Sequence, residues 1–227
     1  MTLNSQFINL NKKIINCKKC VRLVAFRKKI AKEKRKQYIN EKYWGKPITG
    51  FGDINGEILL IGLAPAAHGG NRTGRVFTGD RSADFLYKCL YKAKMSNQRT
   101  SENKNDGLKL YNAYVTTALK CVPPGDKPTP LELRTCFKYF KQEIDLLRNV
   151  KIIVALGKIA FDACIQFYKE TYFLKNKDYL FAHAAKYQLP DKKILLGCYH
   201  PSPRNVNTGR INEKKMTHLF RKVLKLA

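Results

Sequence analysis

The sequence is short of acid. Its 227 residues hold 17 aspartates and glutamates against 44 lysines and arginines, a formal net charge of +27 at pH 7. So one-sided a balance points to a polyanionic partner, because lysine and arginine neutralise phosphates and release counterions. A solubility adaptation would leave the same composition. Long apolar runs are missing too: none approaches the ~20 residues of a membrane span. No amphipathic helix with a convincing apolar face suggests a membrane-surface role. The first 16 residues lack the apolar core and small-residue cleavage site of a signal peptide, so a cytoplasmic, nucleoid-associated protein is expected. Neither GxxxxGK[ST] nor GxGxxG occurs, which removes the usual signatures of triphosphate and dinucleotide binding. There are no internal repeats and no long low-complexity tract.

Much else is present. Hydrophobic residues make up 44% of the chain, enough for a sizeable core. Four short apolar runs, 57–62, 111–117, 151–156 and 193–198, are rich in leucine and β-branched residues, with little polar alternation. Buried parallel strands have that pattern. Helical patterns lie at 3–15, 20–39, 82–95, 130–148, 157–170 and 210–226, with connecting loops at 44–56 and 96–107, the latter polar and flexible. Alternating strands and helices imply a parallel sheet covered on both faces. The expected architecture is therefore one domain over 1–227, three-layer α/β/α around a central four-stranded parallel sheet. Residues 1–45 form a basic N-terminal helical segment, in which Arg27-Lys28-Lys29 and 32–36 concentrate positive charge.

Seven cysteines in a cytosolic chain argue against a disulfide framework. Cys17-Lys18-Lys19-Cys20 is a CxxC pair with no strand ahead of it, unlike thioredoxin-type redox motifs. Cys121 and Cys136 flank a proline-rich loop. Together the pairs offer four thiolates, enough for a [4Fe–4S] cluster or a structural zinc, and spacing does not choose between them. Three closely spaced cysteines leaving an open iron are absent, so a structural centre is expected. Cys89, Cys164 and Cys198 fall inside apolar patterns and read as core.

Two loops carry the chemistry. The run from Gly62 to Ser82 follows the first apolar run directly and holds five glycines within eighteen residues, with Asp80 as its one carboxylate. A strand passing into a glycine-rich loop and then a helix is how α/β proteins build ligand sites. Asp80 also stands where a helix N-cap would. The second loop, His200-Pro201-Ser202-Pro203-Arg204, is stiffened by two prolines and begins where the last strand ends.

These segments resemble the uracil-DNA glycosylase superfamily, and family 5, its iron–sulfur type, most closely. The carriers are Gly62-Leu63-Ala64-Pro65-Ala66-Ala67-His68-Gly69, Phe77-Thr78-Gly79-Asp80, the 200–204 loop and the four cysteines. The resemblance implies removal of a deaminated base from DNA, with a [4Fe–4S] cluster on Cys17, Cys20, Cys121 and Cys136. The first motif, Gly62, Ala64, Ala66, Ala67 and His68 among it, would wall the base pocket. Many members carry a water-activating aspartate just before its proline. Ala64 stands there, and the resemblance moves that role to Asp80. Phe77 would stack on the flipped base, and His200 would contact uracil O2. A base-reading asparagine of many members falls at about Thr117, a departure that favours a base range beyond uracil, including hypoxanthine and xanthine. His68 and Asn71 could position water.

Flipping a base costs a few kcal/mol, and a wedge in the minor groove offsets part of that. Pro201, Ser202, Pro203 and Arg204 suit the task. No lysine lies in either loop, which disfavours lyase chemistry. A monomer acting on double-stranded and single-stranded DNA is expected. The competing reading is a non-catalytic nucleic-acid-binding protein with a four-cysteine metal centre.

Overall fold

The computed structural model describes residues 2–227. Eight α-helices and six strands follow one another as α1 (Leu3–Ile15), α2 (Val21–Glu33), β1 (Phe51–Gly52), β2 (Ile58–Gly62), α3 (Gly70–Thr73), α4 (Arg81–Lys92), β3 (Ala113–Thr117), α5 (Pro130–Leu146), β4 (Ile152–Leu156), α6 (Lys158–Lys169), β5 (Lys186–Gln188), β6 (Ile194–Cys198), α7 (Pro203–Asn207) and α8 (Glu213–Leu224). The sheet runs in the order β1-β3-β2-β4-β6-β5. Its four central strands are parallel and are the four apolar runs. The expectation of four strands is corrected to six. Short antiparallel β1 and β5 cover the two edges. Both were hidden from periodicity: β1 has two residues, and β5 is exposed at both ends.

The lack of alternation in the central strands has a direct cause. Every residue of β2 is buried. Ile58 and Leu60 pack on one face with Leu86 and Leu90 of α4 and Met216 and Phe220 of α8. Leu59 and Ile61 pack on the other with Phe7 of α1, Phe140 of α5 and Phe161 of α6. Successive side chains in a strand point to opposite faces, so a sheet between two helical layers favours apolar residues at nearly every position, with Thr116 and Thr117 of β3 as hydrogen-bonded exceptions. This is the three-layer arrangement.

The basic helix ends earlier than its pattern suggests. Lys34, at φ 54°, closes α2, and residues Lys36–Tyr38 form a single 3-10 turn. Buried Leu10, Ile14 and Leu23 of the N-terminal segment meet Leu119 and Tyr139 in a third apolar cluster, with Cys136 inside it and Cys17, Cys20 and Cys121 beside it.

The 96–107 stretch is tied down, contrary to the expectation of a flexible loop. Asp106 accepts hydrogen bonds from the amides of Glu102 (2.8 Å) and Leu108 (3.0 Å), and its carboxylate takes both terminal nitrogens of Arg75 (2.9 and 2.7 Å).

Candidate active site

Parallel strands β2, β3, β4 and β6 point their carboxyl ends to one edge of the sheet, and both unusual loops leave from that edge. The first runs from the end of β2 through α3 to α4. Asp80 is the N-cap of α4: its Oδ1 accepts from the amides of Ser82 (2.9 Å) and Ala83 (3.0 Å). The N-cap reading of Asp80 therefore holds, and it leaves Oδ2 without a hydrogen bond from the described residues. That oxygen lies over Gly69. A Cβ built on Gly69 would stand 1.9 Å from it, so the glycine is the space the carboxylate occupies. Asp80 lines a broad cleft together with His68, Arg72, Asp84, Arg35 and Tyr38.

Burial raises the carboxyl pKa of Asp80, and the Asp84 charge adds to this. The two amides and the Arg72 guanidinium pull the other way. Burial likewise raises Asp84, with help from Glu102. His68 is lowered by burial and by the charges of Arg35 and Arg72, and its Nδ1 shares a hydrogen bond with the Tyr43 hydroxyl (3.0 Å). Asn71 does not face the cleft. It is buried, and its Nδ2 donates to the carbonyl of Arg27 (3.2 Å), fastening α3 to α2.

Phe77 and His200 form a second group. Their rings are 6.0 Å apart, and neither lines the Asp80 cleft. The Phe77 ring covers Gly62, where a Cβ would meet it at 2.6 Å, with the Thr117 methyl nearby. Phe77 adopts φ 44°, a conformation that a bulky residue keeps only where its surroundings impose it; its carbonyl accepts from the Ser101 hydroxyl (3.1 Å). The Thr117 hydroxyl is committed to the Leu119 carbonyl (2.9 Å). His200 is lowered to about 4 by burial alone, so its imidazole is neutral at physiological pH. Its carbonyl accepts from the Asn205 side chain (2.9 Å). Ser202 caps α7, Pro203 opens that helix, and Arg204 is exposed. The stiff loop of the sequence reading is thus a one-turn helix folded back on the end of β6.

Cys17, Cys20, Cys121 and Cys136 line one small pocket with Leu23, Leu119 and Tyr139. The amide of Lys120 donates to the Cys136 sulfur (3.3 Å). Burial pushes Cys121 up to about 12 and Cys136 up to about 11, and raises Cys20. Among the described residues no three cysteine, histidine or carboxylate side chains are close enough to share a single metal ion. The four sulfurs are instead distributed around the pocket wall. Cys89, Cys164 and Cys198 are buried in the core, as expected.

The family model for the uracil DNA glycosylase superfamily matches residues 49–224, which contain both loops and the whole sheet. The chain belongs to that superfamily. A type-5 uracil-DNA glycosylase of Thermus thermophilus is 43% identical over 211 residues, spanning 93% of this chain and 94% of that protein. One from Pyrobaculum aerophilum is 37% identical, over 95% of this chain and 90% of its own length. A type-4 uracil-DNA glycosylase of Thermotoga maritima matches at 28% over half of each chain.

Sequence reasoning missed the residues that hold the glycosylase loops in place. Arg72 is buried and donates to the carbonyls of His68 (2.7 Å) and Gly79 (2.8 Å). It pairs with Glu41 (2.5 Å) and stacks on Tyr38 (3.8 Å). One guanidinium therefore joins the first motif, the residue before Asp80 and the N-terminal segment. Arg75, buried beside it, binds Asp106, Ser101 and Thr78. A second missed feature is the buried pair Lys120–Glu143 (2.5 Å), completed by the hydroxyls of Thr116 and Tyr114. The available signal was two arginines inside a loop otherwise short of charge; apart from Thr78, their acceptors are distant in sequence or lie on the backbone.

Proposed function

We propose that this protein is a monofunctional DNA glycosylase that hydrolyses the N-glycosidic bond of uracil, and also of hypoxanthine or xanthine, in DNA and leaves an abasic site. The observation that carries the reading is His200, a half-buried and neutral imidazole at the end of β6, 6.0 Å from the Phe77 ring. Cleaving the bond develops positive charge on the sugar and negative charge on the departing base, through an oxocarbenium-like transition state. A neutral imidazole N–H held near the base oxygen stabilises that anion. One preorganised donor of this kind is worth about 3–4 kcal/mol. Asp80, with Oδ1 fixed by the helix and Oδ2 free, orients the attacking water and faces the cationic sugar. His68, in the same cleft, is placed to hold that water. The wider base range is supported at Thr117: no side-chain amide stands there, and the hydroxyl is already bonded.

The four cysteines fit a [4Fe–4S] cluster better than a lone zinc. Four thiols surround an apolar pocket with no other ligand type, spread too widely for one ion, and a backbone amide already serves one sulfur. Cys17, Cys20, Cys121 and Cys136 would hold it. The cluster would supply a covalent tie between the N-terminal segment and the β3–α5 region, with no open position for chemistry. The segment 1–45 then belongs to the same domain as the sheet.

The test is incubation with labelled duplexes containing U, hypoxanthine or xanthine, followed by alkali. Scission at the modified base is expected. Its absence for all three would overturn the enzyme reading in favour of a nucleic-acid-binding role.

A further inference from the structure

Beside the 200–204 loop stands an aromatic and cationic group that the reaction as described does not use. Tyr199 links β6 to His200. The His183 ring stacks on it at 5.4 Å with 29° between planes, and the Arg210 guanidinium lies over it at 4.5 Å. Arg210 is exposed and makes no hydrogen bond or ion pair among the described residues. Its backbone is fixed by its neighbour: Ile211 is fully buried, and its amide donates to the Asn205 carbonyl (3.1 Å). Lys215 reaches the carbonyl of Gly209 (3.4 Å), which brings a second cation alongside. The nearest acid in sequence, Glu213, is engaged by Lys88 and Lys92. Burial and the charge of Lys215 lower the pKa of His183, so the charge of the group is that of Arg210 and Lys215.

A guanidinium stacked on an aromatic face keeps its N–H donors free at its edge. Those donors match a phosphate in bidentate fashion. The exposed edge here has no acid to satisfy it and sits at the base of the loop that would enter the groove.

We propose that Arg210, held on the ring of Tyr199 and flanked by Lys215, is a binding site for a DNA backbone phosphate next to the flipped nucleotide. This rests on the glycosylase reading of the cleft. It adds a contact outside the loop motifs, one that sets how the duplex lies on the protein while His200 and Asp80 act.

The experiment is fluorescence anisotropy with a labelled duplex carrying a tetrahydrofuran abasic analogue, titrated over a salt series. Wild type, Arg210→Ala, Arg210→Lys, Tyr199→Leu and Arg148→Ala are compared. Arg148 is exposed and precedes β4, at the opposite edge of the sheet, so its loss removes the same charge from the wrong side. Losing one phosphate contact lowers the slope of log K against log salt by about 0.9 and weakens binding roughly 5- to 10-fold near 0.1 M salt. Arg210→Ala should show both changes. Arg210→Lys should restore the slope but not the full affinity, because lysine keeps the charge and loses the planar stack. Tyr199→Leu should weaken binding with the slope retained. Arg148→Ala should leave both unchanged. Wild-type affinity and slope in Arg210→Ala, or equal losses in Arg148→Ala, would overturn the proposal while the glycosylase reading stands. A wild-type protein that binds no duplex would overturn both.

Discussion

Replacing Gly69 by alanine asks whether the free oxygen of Asp80 is the working one. The added Cβ would lie 1.9 Å from Asp80 Oδ2, 2.8 Å from its Cγ and 3.1 Å from its Cβ, whereas real contacts of this kind are essentially never under 3.0 Å. Gly69 has φ −100° and ψ −109°, outside the extended and right-handed helical regions open to other residues, so alanine strains the backbone as well, a cost that does not depend on what stands at position 80. The carboxylate must retreat by more than 1 Å. It can do so by rotating away from Gly69 or by giving up the amides of Ser82 and Ala83. Losing the cap costs about 1 kcal/mol of stability. Misplacing a reacting group by 1 Å costs about 100-fold in rate.

Gly69→Ala should therefore melt slightly lower than wild type and excise uracil about 100-fold more slowly in single-turnover assays, with binding to an abasic duplex retained. Asp80→Ala removes the two closest atoms and leaves only the 3.1 Å contact. In that background Gly69→Ala should cost almost nothing further in rate, and in stability only the backbone strain. A double-mutant cycle reads this coupling directly. Wild-type turnover in Gly69→Ala, or fully additive losses in the double variant, would refute the placement of Asp80 as the water-orienting carboxylate.

His200→Ala should lower excision by 10²–10³-fold while binding to abasic duplex survives. Because the folded pKa of His200 is about 4 against an ordinary ~6.5, the unfolded chain binds the extra proton between those values. Wild type should lose about 3 kcal/mol as pH falls from 6.5 to 4, a loss that calorimetric melts of the His200→Ala variant should not show from this group. Activity should fall as pH drops through a value above that of an ordinary aspartate, since burial raises Asp80. Asp84→Asn removes a like charge and should move that limb down, whereas Arg72→Gln removes an opposite charge and should move it up; pH–rate profiles of the two variants moving together would sink the assignment to Asp80. Arg75→Ala strands the Asp106 carboxylate in a largely buried site and should cost about 3–5 kcal/mol, read as a lowered midpoint in denaturant. Purified protein should be brown with broad visible absorbance, and Cys121→Ser should bleach it; a colourless wild type containing zinc would reject the iron–sulfur assignment.

The loops were legible because their residue types are costly anywhere else. A glycine-rich run after a buried strand, and a histidine before Pro-Ser-Pro, have few structural uses, and both fell at the carboxyl ends of strands. The four central strands were legible because a sheet covered on both faces leaves few polar positions, and Ile58 to Ile61 supply none. The short edge strands were not, since two or three residues carry no period. The clamps were not legible either. Arg72 answers to backbone carbonyls, which every sequence has, and Arg75 to Asp106, thirty-one residues away in a stretch of loop-forming composition. Thr117 shows the limit in another way: the sequence offers a hydroxyl there, but only the structure shows it spent on the Leu119 carbonyl.

One physical cause shapes the two groups proposed to react, with opposite consequences. Burial pushes Asp80 toward its protonated form and His200 toward its neutral form, because a low-dielectric site disfavours charge of either sign. What separates them is compensation. Asp80 has two helix amides and the Arg72 charge facing it, and so keeps access to the anion. His200 has no carboxylate to favour its cation. The acids elsewhere are largely withdrawn from the surface field: Glu132 by Arg22, Glu143 by Lys120, Asp106 by Arg75 and Glu213 by two lysines. A chain of charge +27 can thus hold DNA through its free cations while the carboxylate that would repel a phosphate sits below the surface, its charge balanced by the amino terminus of α4. The acid has to be placed at a helix start for this to work, so the N-cap geometry of Asp80 is part of the chemistry proposed for it.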